Sequence, residues 1–345
     1  MESNEGVVSG AFLKFAPKNF GKDYCSSFLS LLEIKKDPIG RLFCWMVLLN
    51  IIPDDRLKAA AMVQEIFEEY LKMVKQNFDD KSPLKVVPKR EGQTIKVDIV
   101  RSIKWFYDFS EKQGLTKEQT KNADEHVKRI LSLLSILNKE LSYLQGFDRY
   151  VFITFFLGLN FTIKFKLCDK VAEAFSYYLS KKLLMLAKPY LILSDQPLEH
   201  FKELDKLLEE NFPEKFQIFK DIKMTSFTFA LRWKLLLFCD EHDVNETMLI
   251  WDSIILKQDV FTIYLNNLCV EHFKQVKINE KSPVECVQKY KNWDTNEIVK
   301  NANISTERLM KAKTKSSNIY IVAFIVLFVA FLVSFYFKDK INMIK

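Results

Sequence analysis

Glycine is scarce, with eight in 345 residues, and no stretch reads GxGxxG or GxxxxGK[ST]. Phosphate-cradling loops need glycine where backbone must approach a nucleotide, so a dinucleotide or triphosphate site of the chain's own is not expected. Nine prolines and so few glycines exclude collagen-like and linker-rich classes. The six cysteines, Cys25, Cys44, Cys168, Cys239, Cys269 and Cys286, form no CxxC, and the four histidines form no HExxH. A metal site is therefore not expected, and thiols scattered this way pack as small apolar groups in a reducing compartment. The first four residues are acidic and no apolar stretch follows them, so no signal peptide is expected. The net charge is +7, but residues 308–345 hold seven Lys/Arg and one Asp, which leaves the first 307 residues at +1. A near-neutral body lacks the clustered basic face of a nucleic-acid binder. The scattered lysines read as solvated surface.

What is abundant is apolar. Hydrophobic residues make up 48% of the chain and phenylalanine alone contributes 30. One run, Ile319 to Phe337, holds 19 residues without charge, enough to cross a hydrocarbon core as a helix. Tyr320 and Tyr336 sit near its ends, where amphipathic rings favour the interface. Arg308, Lys311, Lys313 and Lys315 precede it, and only KDKINMIK follows. The pattern reads as a single transmembrane tail anchor over 319–337 with a short lumenal tail over 338–345. The basic cluster before it leaves the body on the cytosolic side. The triplets at Asn160, Asn245 and Asn303 match the glycosylation signal, which a cytosolic body would not use. A 19-residue span suits a thin bilayer such as the endoplasmic reticulum, with Golgi or peroxisome as alternatives. A second apolar stretch, Tyr150 to Ile163, has 14 residues and contains Asn160. It fits a buried helix better than a span.

Helical periodicity dominates the body. Residues 1–30 lack sustained periodicity and read as an extended lead-in. Pro53-Asp54-Asp55 opens the run from Arg56 to Phe78, whose apolar residues recur at helical spacing. Lys81 to Thr94, with Pro83 and Pro88, reads as a loop. Thr116 and Gln119 form a capping-box pair ahead of a long run to about Tyr143. Further helices are expected over Lys170–Ala187, His200–Asn211, Phe227–Cys239 and Thr247–Leu256, with breaks at Ser194–Pro197 and at Pro213. No repeat and no alternating strand series is present, so the fold class is all-α with ten or more helices. The expected organisation is one domain over 31–290, a polar connector over 291–318, and the membrane segment.

Two short motifs stand out. Ile95, Asp98 and Arg101 form IxxDxxR. On a helix they step about 60° around the axis, so that Ile95 can anchor inward while Arg101 reaches the rim. Asp98, one turn before Arg101, can hold its guanidinium in one orientation. Taken alone, this is an ordinary surface ion pair. Downstream, Tyr143, Gln145 and Gly146 form YxQG. Its glycine permits a left-handed backbone or a close approach, and taken alone it is a helix cap.

In this order the two motifs resemble the dual-finger signature of TBC domains, the GTPase-activating domains for Rab proteins. Arg41-Leu42-Phe43-Cys44-Trp45 with Leu48, Leu49 and Pro53 resembles the family's opening RxxxW…LL…P segment. Glu173-Ala174-Phe175 resembles its mid-domain AF element. Phe229-Ala230-Leu231-Arg232-Trp233 and Leu249-Ile250-Trp251-Asp252 resemble its FxxRW…LWD segment. The likeness spans residues 37 to 275 in family order. It departs at Ser142 (often Gly), at Arg149 (often acidic) and at Asp240-Glu241-His242 (often Arg-Glu-Phe). The resemblance implies a multi-helical TBC-type domain that supplies Arg101 and Gln145 to a Rab-family small GTPase in its GTP state. Arg101 would stabilise charge on the transferring phosphoryl group and Gln145 would orient the attacking water. Ile95, Asp98, Tyr143 and Gly146 would support them. No cofactor of its own is implied, because the partner carries GTP and Mg²⁺. A TBC-like module that holds a Rab or a tethering factor at a membrane without catalysis is the alternative. Trp45, Trp233 and Trp251 are expected in the core.

Overall fold

The computed structural model describes residues 6–78, 82–191 and 199–312. Among these residues it contains helices and short 3₁₀ turns and no strand. The helices are α1 (Val7–Phe15), α2 (Lys22–Ser30), α3 (Pro38–Leu48), α4 (Arg56–Phe78), α5 (Lys89–Lys112), α6 (Ala123–Leu137) and α7 (Phe147–Phe165). They continue with α8 (Asp169–Leu191), α9 (Glu199–Asn211), α10 (Pro213–Asp221), α11 (Phe227–Leu235), α12 (Val244–Leu256), α13 (Phe261–Gln275) and α14 (Pro283–Lys289). The last helix among the described residues, α15, covers 295–312.

The centre of the fold is α7, the segment read from sequence as a buried helix. It runs against α8 and also meets α3, α5 and α6. Its apolar residues point all round, as burial on every side requires. The α7–α8 seam is close because its residues are small. A Cβ on Gly158 would lie 2.9 Å from the Ala172 Cα, and Thr154 Oγ1 meets Ser176 Oγ at 2.8 Å and Ser180 Oγ at 2.7 Å. Among the described residues no helix is long and apolar enough to cross a membrane. The segment Ile319–Phe337 lies outside them, as does the break at Ser194–Pro197.

Two buried carboxylates hold distant helices together. Asp252 of α12 accepts from Arg41 Nε and Nη2, both at 3.0 Å, from Trp45 Nε1 at 2.7 Å and from Lys36 Nζ at 2.9 Å. Arg41 is fully buried, which is tolerable only because this carboxylate neutralises it. The neighbouring Trp251 stacks on Tyr150 of α7 with ring centroids 5.0 Å apart and donates from Nε1 to the Leu237 carbonyl at 3.0 Å. Glu173 of α8 accepts from the Tyr70 hydroxyl at 2.7 Å, Arg129 Nε at 3.0 Å and Lys170 Nζ at 2.7 Å, and also meets His126 Nδ1. The three tryptophans expected in the core, Trp45, Trp233 and Trp251, are there.

Several expectations need correction. Residues 7–30 are not an extended lead-in. They form α1 and α2, each nine residues long. Val8, Ala11 and Phe12 do have helical spacing, but one turn and a half is too short for the period to stand out. Phe12 is buried edge-on to Phe43, centroids 4.8 Å apart. Arg56 Nε, at the start of α4, donates to the Ala16 carbonyl at the end of α1 at 2.9 Å. The loop expected over Lys81–Thr94 ends early, because α5 starts at Lys89 directly after Pro88. Pro83 likewise opens a 3₁₀ turn. Both prolines sit at element starts, where a missing N–H costs nothing.

The Thr116–Gln119 bonds form, at 2.8 and 3.3 Å, but they close a turn, and α6 begins only at Ala123. That helix stops at Leu137 and not near Tyr143, because the Asn138 side chain donates to the Leu134 carbonyl at 3.0 Å and its backbone leaves the helical region. Residues 291–318 do not start as a connector, since α15 covers 295–312. Its apolar face is narrow. Ile298, Val299 and Ala302 are fully buried, and Asn267 Nδ2 donates to Thr306 Oγ1 at 2.8 Å.

Both carboxylates can be tested through stability. Asp252→Ala strands Arg41, Lys36 and the Trp45 indole, and urea unfolding should show a loss of about 3–5 kcal/mol. Burial alone would raise the Glu173 pKa, but the His126 hydrogen bond and the Arg129 and Lys170 charges prevail and hold it at about 2, against an ordinary 4.5. A carboxyl depressed on folding stabilises above its unfolded pKa and loses that contribution as pH falls through the folded one. Wild-type stability should therefore drop by about 3 kcal/mol between pH 4.5 and 2 from this group. In Glu173→Gln, acid titration of stability should lack that component.

Candidate functional site

Helix α5 presents the first motif. Ile95, Ile99, Ser102 and Phe106 repeat at helical spacing and form its buried stripe. Ile95 therefore points inward, Asp98 lies at the edge of the stripe with 4% exposure, and Arg101 stands outside. Arg101 Nη1 is 3.6 Å from Asp98 Oδ1, and the arginine side chain is 65% exposed.

The second motif lies in the short segment between α6 and α7. Gly146 is the residue before α7 and has φ +99°, a conformation that L side chains rarely adopt. Its α hydrogen also faces Leu236, whose Cδ2 would sit 2.8 Å from an added Cβ. Gln145 is exposed. Tyr143 points the other way, into the protein, and its hydroxyl donates to Asp98 Oδ2 at 2.8 Å. Burial first, then the charges of Asp148 and Asp98, raises the Tyr143 pKa well above its ordinary value, so the hydroxyl stays protonated and remains a donor. Its backbone N–H donates to Glu91 Oε1 at 2.5 Å.

Arg101 and Gln145 thus open on one cleft of about 430 Å³, between α5, the start of α7, α11 and the turn that follows α11. Sequence reasoning did not anticipate several of its other features. Asp148 is buried, and its Oδ2 has no hydrogen-bond partner. Burial pushes its carboxyl up from the ordinary value, with Arg149 opposing and Asp98 adding. The Arg149 guanidinium lies 4.2 Å above the Trp105 ring and 3.7 Å from Asp240 Oδ1. Arg232 pairs with Glu241. All three arginines of the cleft thus have a carboxylate partner, but the Arg101 side chain is 65% exposed against 23% for Arg149 and 42% for Arg232. Glu91 escaped notice because its segment read as a loop. The available signal was Pro88 as a helix start, which would have put Glu91 two turns before Asp98 on the same face. Among the described residues no group of three or more His, Cys, Asp or Glu is placed to hold a metal ion.

Among the described residues the domain is helical, and Arg101 and Gln145 line one open cleft. The family model of the Rab-GTPase-TBC domain matches residues 40–278, which include every residue lining the cleft. The chain belongs to the Rab-GTPase-TBC domain family, and membership implies a Rab GTPase as partner. Its fold is similar to that of the Ypt/Rab-GAP domain of Gyp1p, with 18% identity, a TM-score of 0.63, and coverage of 88% of this chain and 99% of that one. It is also similar to a Chlamydomonas flagellar RabGAP TBC domain, with 15% identity, a TM-score of 0.50, and coverage of 88% and 85%. At such identities the likeness concerns the fold. No curated protein matches the chain.

Gly146→Ala tests the backbone requirement at the second motif. It combines a strained φ with the Leu236 contact, and should lower the unfolding free energy by about 1–3 kcal/mol in urea titrations.

Proposed function

We propose that this protein accelerates GTP hydrolysis by a membrane-bound Rab GTPase, with Arg101 and Gln145 entering the GTPase site in trans. The observation that carries this reading is their shared exposure on one cleft, with Arg101 65% exposed and turned away from the core. As the γ-phosphoryl group transfers through a loose transition state, negative charge is spread over its equatorial oxygens and builds on the leaving oxygen. A planar guanidinium can meet two phosphate-site oxygens with a fixed fork of N–H groups, whereas a lysine ammonium acts as a point charge without that geometry. Such a residue typically contributes 10³–10⁵-fold, or roughly 4–7 kcal/mol of barrier. Gln145 has a donor and an acceptor on one amide, which suits it to hold the attacking water in line. Asp98 orients Arg101 from below, and Tyr143 fixes Asp98. GTP and Mg²⁺ come with the partner.

The membrane side of the proposal rests on Ile319–Phe337 as a span, most simply in the endoplasmic reticulum, with the body facing the cytosol. Confining both proteins to one bilayer surface raises their effective concentration without any new contact.

Single-turnover GTP hydrolysis by a panel of Rab GTPases, with the full chain in liposomes, tests the chemistry. Arg101→Ala should lose about 10³-fold or more of the stimulation. Gln145→Ala should lose most of it, and Arg101→Lys should not restore it. Full stimulation by Arg101→Ala overturns the assignment. Binding of GTP-locked Rab with no rate effect anywhere in the panel would instead support a non-catalytic module. For the membrane claim, a tagged chain lacking residues 316–345 should become diffuse in cells, and retention of the full-length pattern would refute it.

A further inference from the structure

We propose that Glu91 is a positioning residue for Gln145, acting as one half of a two-point clamp that joins the Gln-bearing segment to the Arg-bearing helix. The inference rests on the finger reading above and adds a residue to it. Tyr143 makes two bonds to α5. Its backbone N–H donates to Glu91 Oε1 at 2.5 Å and its hydroxyl donates to Asp98 Oδ2 at 2.8 Å. Glu91 and Asp98 are seven residues apart, so they stand on one face of α5 about two turns apart. One bond to a side chain leaves a segment free to pivot, whereas two bonds to one rigid helix, one from backbone and one from a ring tip, remove that freedom.

The need for the clamp comes from what Gln145 lacks. Among the described residues it makes no hydrogen bond, so nothing holds its side chain directly. Its place depends on the backbone on either side. After it, Gly146 enters α7. Before it, Tyr143 lies outside any helix, and its N–H finds an acceptor 52 residues away. A buried or half-buried N–H without such an acceptor is costly.

Glu91 suits the task for a second reason. It stands in the first turn of α5, where the positive end of the helix favours a carboxylate, and a charged acceptor makes the stronger bond. A first-turn acid with only that role would be served equally by aspartate. The clamp needs the longer side chain, because its oxygen must reach Tyr143. The two roles therefore predict different rankings of the same substitutions.

The experiment uses the full chain and the Rab GTPase it stimulates best. Glu91→Asp keeps the charge at the helix start but withdraws the acceptor, and should lower single-turnover stimulation about tenfold. Glu91→Gln keeps an acceptor at the same reach and should stay within about threefold of wild type. In a Gln145→Ala background, Glu91→Asp should cost no further activity, because it acts through Gln145. A merely structural role would lower both backgrounds alike. Hydrogen exchange supplies a readout that needs no GTPase: Glu91→Asp should speed exchange of the Tyr143 amide about tenfold while the core of α7 stays protected. Unchanged exchange at Tyr143 in Glu91→Asp overturns the clamp, as does a loss that multiplies with Gln145→Ala. Should wild type stimulate no Rab, the finger reading fails while the exchange result still decides the clamp.

Discussion

The bond from the Tyr143 hydroxyl to Asp98 is the constraint on which the cleft depends. It joins residues 45 positions apart and ties a segment without helical hydrogen bonds to the longest helix on that side. Asp98 uses one oxygen for Tyr143 and turns the other toward Arg101. A single carboxylate thereby relates the two side chains that face solvent. The bond is sheltered from water, so it is stronger than the same pair would be at the surface, and a tyrosine kept protonated by its surroundings cannot lose the donor role.

Away from the cleft, two buried carboxylates are each surrounded by donors. Asp252 meets three donor side chains and Glu173 four partners. Such clusters suit joints between helices that are distant in sequence, because a buried charge left partly paired is costly and only one arrangement satisfies all members. The cleft is different. Arg101 is largely exposed, Gln145 is unbonded, and Asp148 keeps an oxygen without a partner. The cleft thus leaves polar capacity open, while the two saturated clusters hold the framework around it. The motif residues Arg41, Trp45, Trp251 and Asp252 thus belong to the framework, and Arg101 and Gln145 to the face it presents.

Much of the fold was legible because long amphipathic or wholly apolar stretches carry their period openly. The Arg56–Phe78 helix appears with its bounds intact, and α7, α8, α9 and α12 are recognisable within a few residues. Short and narrow elements were not. The buried faces of α1 and α2 comprise two or three residues each, and that of α15 is a thin row among asparagines, lysines and glutamates. In such elements the helical period is visible only once the neighbour that covers it is known. Prolines 83 and 88 were misread for a related reason. A proline opens a helix as readily as it breaks one, and the packing of the next few residues decides between the two.

The amino-acid order by itself determined the all-α class, the near-neutral body, the apolar run at 319–337 and the two motifs with their spacing. These are properties of composition and of local period, which need no partner in space. Only the tertiary structure decided that α5 begins in time to include Glu91, that Arg149 turns onto Trp105 and Asp240, and that Arg101 and Gln145 open on the same cleft. Each of those facts depends on where a turn of backbone stops and which side chain lies across from it, and contacts between residues 45 or 52 positions apart leave no periodic trace along the chain.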